Sequence, residues 1–141
     1  MDNQLFQKFV RFITAVHENS KEMTKGIQLE SVTPVQYRIL EYIYVSEPVT
    51  ISQISECIDM SMPNMSRELK KLTEKQLCEK ITDVHDRRKQ YISLSEKGRG
   101  MMDQAFREIE VRFMGLMGSL TEEERAEVER ALEVLQSKVF R

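Results

Sequence analysis

Residues 61–95 read SMPNMSRELKKLTEKQLCEKITDVHDRRKQYISLS, and the fold turns on this stretch. Ser61 is a helix N-cap with Pro63 in the first turn, and Met65, Leu69 and Leu72 at i, i+4 and i+7 make one buried stripe. The opposite face carries Asn64, Arg67, Lys70 and Lys71. From Leu77 to Thr82 and from Lys89 to Leu94 the pattern changes to alternation, with Ile92 and Leu94 inward, and a largely polar six-residue connection lies between. The stretch therefore predicts a helix whose outer face is basic, followed by a hairpin with a basic tip.

Upstream, Thr50-Ile51-Ser52-Gln53 is a capping box, and Ile51, Ile54 and Ile58 give a short helix an inner face that stops near Asp59. Thr33-Pro34-Val35-Gln36 repeats the box and opens a helix over about 34–46, with Pro48 beyond its end. Leu5, Phe6, Phe9, Val10, Ile13 and Val16 keep helical spacing over residues 2 to 25, up to Gly26. Downstream, Ser95 caps a helix striped by Met102, Phe106, Ile109, Phe113 and Leu116. Thr121-Glu122-Glu123-Glu124 then opens a last helix carrying Val128, Leu132, Leu135 and Val139.

Two short helices joined by a tight turn, then a hairpin, make a winged helix-turn-helix. The fold class is mainly α with a small β-hairpin wing, and the chain is one domain: a core over residues 33–95 flanked by terminal helices, 1–26 and 96–141. The apolar stripes of those flanking helices exceed what so small a core can cover, and a second copy buries the surplus, so they read as dimerisation helices of a homodimer.

The 141 residues leave no room for a second domain of ordinary size. Net charge is −2, yet residues 61–100 hold ten Lys/Arg against six Asp/Glu, a net of +4, and the remainder carries −6. No apolar run approaches the length of a membrane span, and the start lacks a basic, then apolar, leader, so a cytoplasmic location without membrane contact is expected. Cys57 and Cys78 have neither CxxC nor paired-histidine spacing, so neither a disulfide framework nor a zinc module is expected. No GxGxxG, phosphate-binding loop or metal-ligand cluster is present, and the reading is of a non-enzymatic chain without cofactor or metal.

The chain resembles the MarR family of bacterial transcriptional regulators over nearly its whole length, on three local matches. Asp83-Val84-His85-Asp86-Arg87-Arg88 looks like the family's wing tip. Ile92-Ser93-Leu94-Ser95-Glu96-Lys97-Gly98 looks like the strand and helix start that follow. Ser61-Met62-Pro63-Asn64-Met65-Ser66-Arg67 is similar to the opening of its recognition helix. The chain departs from the family in having Lys75-Gln76-Leu77 where Lys-Gly-Leu is frequent, Lys80-Ile81 where two basic residues lead into the wing, and no cysteine in the first helix like that of the hydroperoxide sensors. The resemblance implies a DNA-binding regulator, expected to repress as a dimer on a pseudo-palindromic operator and to be released by a small apolar or aromatic effector.

On that reading the recognition helix presents Ser61, Pro63, Asn64, Ser66, Arg67, Lys70 and Lys71 to double-stranded DNA, with Arg67 suited to guanine and Asn64 to adenine. Ser66 has an equal claim as a small packing residue. The wing offers Asp86, Arg87, Arg88 and Lys89: Asp86 holds Arg88 extended for the minor groove, while Arg87 and Lys89 face phosphates. Phe12, His17, Tyr37, Arg38 and Met101 are candidate walls of an effector pocket, against the simpler reading of interface and core packing. His85 is a solvated tip residue, and Met102, Met114 and Met117 join Met101 as flexible packing on the fifth helix. Two alternatives stand beside this reading. One is a winged-helix module for an acidic protein partner; the other is a thiol-based redox-sensing regulator using Cys57, read as buried, or Cys78, read as reachable.

Overall fold

The structure, a computed structural model, describes residues 3–27, 29 and 31–141. The described residues run through α1 (Asn3–Thr24), α2 (Pro34–Ser46), α3 (Ile51–Ile58), α4 (Met62–Glu74), β1 (Cys78–Thr82), β2 (Gln90–Leu94), α5 (Glu96–Leu116) and α6 (Glu122–Lys138). The expected first helix began at Asp2, which lies outside the described residues. Two compact units result, one of residues 26–107 and one of the N-terminal residues to 25 with 108–141.

In the central unit the helix starts are set by local chemistry. Thr33 and Thr50 each accept from the backbone N–H three residues on, at 3.1 Å, while Gln36 and Gln53 reach back to the cap N–H at 3.2 and 2.9 Å. These reciprocal bonds satisfy donors that a helix start otherwise leaves open. Ser61 accepts from the Asn64 N–H at 3.3 Å and opens α4 in the same way. Between α3 and α4 the chain turns at Asp59, which sits in the left-handed region at φ 58°, and the Met60 N–H closes onto the Ser55 carbonyl at 3.0 Å.

The apolar faces of α2, α3 and α4 meet in one core, where Ile39, Leu40, Ile43, Ile54, Met65, Leu69 and Leu72 are buried together with Ile92 and Met102. Each such side chain contributes roughly 1.5–3 kcal/mol by leaving water, so this cluster holds α4 with its polar face outward. The hairpin pairs antiparallel in the register Cys78↔Leu94 to Thr82↔Gln90, and Val49 adds a bridge to Ile92. The strands are one residue shorter at one end than the alternation predicts. Leu77 is spent closing α4, its N–H donating to the Leu72 carbonyl at 2.9 Å, and the Lys89 N–H closes the tip onto Asp86 at 3.0 Å.

The turn that sends Leu77 back places Gln76 at φ 64°. A side chain there costs about 1 kcal/mol that glycine avoids, which gives a physical reason for glycine at this place in the resembled family. Gln76→Gly is expected to raise stability by at most about 0.5 kcal/mol after allowing for the freer unfolded chain, read from urea unfolding midpoints at fixed protein concentration.

In the other unit, Arg112 donates to the carbonyls of Lys25, Met23 and Glu22 at 2.7, 2.9 and 3.3 Å and so satisfies the open C-terminal end of α1. Phe9 and Phe140 stack with centroids 5.7 Å apart. The amphipathic patterns of this unit are nonetheless uncovered. No residue of α1 or α6 is buried, and Phe6, Phe12, Ile13, Val111, Phe113, Leu116, Leu132 and Val139 are exposed. No helix among the described residues is long and apolar enough to cross a membrane.

Candidate nucleic-acid interface

Because Met65, Leu69 and Leu72 turn inward, α4 exposes Ser61, Pro63, Asn64, Ser66, Arg67, Lys70 and Lys71. Ser66 therefore does not pack between helices. Arg67 Nη1 donates to Asn64 Oδ1 at 3.1 Å, so the two candidate base readers lie together on the first turns. An arginine can only donate, which fixes the Asn64 oxygen toward it and leaves the amide N–H groups facing out. Lys71 leans back to Glu68 at 3.6 Å, whereas among the described residues no ion pair holds Lys70.

The wing tip is built by two carboxylates. Asp83 accepts from the backbone N–H groups of His85 and Asp86 at 2.8 and 3.3 Å and shapes the turn. Asp86 accepts from the Arg88 backbone N–H at 3.0 Å and from its guanidinium at 3.2 and 3.4 Å. The Arg88 side chain is 92% exposed, so the pair holds a cation away from the body of the fold. The Arg88 hydrogen bonds keep the Asp86 carboxyl below the usual carboxylate range. A depressed carboxyl makes its contribution at neutral pH and loses it only as pH falls through that lowered value, so the pair persists throughout the physiological range. Arg87 and Lys89 are exposed beside it.

At the other end of the wing, Glu47 does what the sequence reading missed. Its carboxylate accepts from the Leu94 N–H at 2.8 Å and pairs with Arg99, tying the end of α2 to β2 and α5. The available signal was an acidic residue at a helix C-terminus, where the helix dipole disfavours it unless a tertiary partner compensates.

The candidate effector residues are only partly assembled. Arg38, with Glu41, Tyr42, Val45, Ser46, Cys57 and Ile58, lines a cleft of about 300 Å³ between α2 and α3, which takes in neither Tyr37 nor Met101. Tyr37 and Met101 pack against the core instead, and Phe12 and His17 are exposed on α1. Burial, with the Glu41 carboxylate adding, pushes the Tyr37 phenol up to about 12.

The two cysteines reverse the expectation. Cys57 is exposed, because Ile54, Ser55 and Ile58 take the inner face of α3. Cys78 is buried at the root of the wing opposite Leu94, and burial pushes its thiol up to about 12. Since the thiolate is the reactive form, a thiol-alkylating reagent at pH 8 is expected to label Cys57 within minutes and to leave Cys78 unmodified until the fold opens, as read by peptide mass spectrometry. Labelling of Cys78 at the Cys57 rate would contradict this geometry.

Known proteins share this fold. A sequence model of the MarR family matches residues 31–89. The HTH-type transcriptional regulator MhqR of Bacillus subtilis is 24% identical over 135 residues, which cover 96% of this chain and 91% of that protein. Streptococcus pneumoniae FabT, solved in complex with DNA, superposes with a TM-score of 0.65 at 21% identity, over 93% of this chain and 94% of that one. MepR of S. aureus, solved bound to ethidium bromide, superposes with a TM-score of 0.64 at 22% identity, over 95% and 96%. The family model covers the helix-turn-helix and runs to the wing tip, and the solved neighbours cover the rest, so this chain has the winged helix-turn-helix fold of those proteins and is similar to the MarR family in its DNA-reading part.

Proposed function

We propose that this protein is a non-enzymatic, sequence-specific transcriptional regulator that binds a pseudo-palindromic DNA site as a homodimer and represses until a small apolar or aromatic effector releases it. The observation that carries the DNA reading is the pairing, within one unit, of an exposed Asn64–Arg67 head on α4 with an Arg88 held out by Asp86 at the wing tip. The first suits base edges in the major groove, and the second suits the negative potential of a narrow minor groove. The exposed apolar faces of α1, the end of α5 and α6 support the dimer, since a lone chain of this size rarely leaves so much apolar surface wet. The MepR–ethidium complex supports an aromatic effector, which would act by favouring a dimer with misplaced recognition helices.

Selection of duplexes from a randomised library by the purified protein, followed by footprinting, tests this. Enrichment of two inverted half-sites about one helical turn apart is expected, with a solution mass twice that of the 16.6 kDa chain. Binding indifferent to sequence would overturn the reading and favour an acidic protein partner for the basic face.

A further inference from the structure

Gln36 is only 3% exposed, and its local role, closing the capping box of α2, uses its oxygen alone. The rest of the side chain reaches elsewhere. Its Oε1 also accepts from Lys75 Nζ at 2.8 Å, and the same ammonium donates to the Ser31 carbonyl. Its Nε2 donates to Glu68 Oε2 at 3.1 Å. The chemistry admits one orientation: Thr33 N–H and Lys75 offer only donors, so the oxygen faces them, and the Glu68 carboxylate offers only acceptors, so the amide nitrogen faces it. Glu68 follows Arg67 directly and lies one helical turn beyond Asn64, with its side chain 22% exposed beneath the polar face of α4.

Apolar packing of Met65, Leu69 and Leu72 turns the polar face of α4 outward but sets its rotation only coarsely, because burial is non-directional. A buried hydrogen bond is directional and loses strength steeply with misalignment. We infer that Gln36 is a positioning residue for sequence reading: through Glu68 it sets the rotation of α4, and with it the aim of Asn64 and Arg67 at base edges. This rests on the DNA-reading function proposed above. Base contacts demand this alignment, whereas phosphate contacts tolerate its loss. Removing the link is therefore expected to lower discrimination between sequences more than it lowers affinity for DNA in general.

The test measures, by fluorescence anisotropy at one salt concentration, the ratio of affinities for the duplex selected by the wild type and for a scrambled duplex of equal length. Gln36→Glu keeps the cap oxygen and sets a carboxylate against Glu68; it is expected to lower the ratio about tenfold, a small part of the range over which specific binding exceeds non-specific binding. The double variant Gln36→Glu/Glu68→Gln restores the link between positions 36 and 68 with the polarity reversed, Gln donating to Glu, and leaves the net charge unchanged; the exposed Lys71 exchanges its carboxylate partner for an amide oxygen. It is expected to return the ratio to within about twofold of wild type. Melting curves accompany each variant, and if Gln36→Glu melts near the assay temperature, Gln36→Met, which keeps the volume and removes the links, is read in its place. An unchanged ratio in a folded single variant, or a folded double variant that fails to restore it, would overturn the positioning role while leaving DNA binding intact. A wild type that shows no discrimination would overturn both, and that result is distinguishable because it appears before any substitution is made.

Discussion

Replacing Gly98 with alanine is expected to lower the stability of the protein by about 3 kcal/mol and its melting temperature by about 10 °C, the upper part of the range for overpacking a tight contact. A Cβ built at Gly98 lies 2.2 Å from the Leu77 carbonyl oxygen and 3.0 Å from its carbon. Those are backbone atoms, so no rotamer change relieves the clash. The Leu77 carbonyl is itself committed, accepting from the Ser95 N–H at 3.0 Å. Ser95 is equally occupied: its hydroxyl donates to the Gln76 carbonyl at 2.6 Å and accepts from the Gly98 N–H at 2.9 Å. Moving the start of α5 away from Leu77 breaks this set of bonds at the root of the wing, between the end of α4 and the end of β2. Specific DNA affinity should fall with stability, since the hairpin is hung from the same place. Thermal melts and urea unfolding at matched protein concentration check this, and a change within about 0.5 kcal/mol, typical of surface substitutions, would contradict the contact.

Arg88→Ala is expected to cost about 1–3 kcal/mol of specific DNA binding, a loss of roughly 5- to 150-fold in affinity, with no loss of fold. The guanidinium is nearly fully exposed, so its removal leaves no cavity, and the partly exposed Asp86 still accepts from the backbone N–H of residue 88. The salt dependence separates two roles. A phosphate contact lowers the slope of log affinity against log salt by about one when removed, whereas a contact inside the minor groove lowers discrimination between sequences as well. Asp86→Ala keeps the Arg88 cation, frees its direction and removes one negative charge from the tip, so it should cost less than Arg88→Ala and act mainly on discrimination. Equal affinity of wild type and Arg88→Ala for the selected duplex would remove the wing from the interface.

The helices were legible because their determinants are local. The capping boxes at Thr33/Gln36, Thr50/Gln53 and Thr121/Glu124 all form, and the i, i+4, i+7 stripe of Met65, Leu69 and Leu72 is buried as its spacing requires. The wing was legible through its change of period, although Ile81 is exposed despite being apolar. Burial of single residues at element ends was not legible. Cys57 and Cys78 exchanged places because a short helix offers its inner face to only a few side chains, and a strand's first residue is inward or outward according to the partner opposite it.

By itself, then, the sequence determined the element order, the helix starts, the polar outer face of α4 and the Asp86–Arg88 tip, since each follows from residues within a few positions of one another. Tertiary structure decided what joins them. The Gln36–Glu68 bond spans 32 residues, Glu47 reaches Leu94 across 47, and Gly98 is required by a carbonyl of Leu77 that only the folded chain brings beside it. Spacing along the chain encodes a periodic face, but a directional contact between two elements depends on how their backbones come to lie in space.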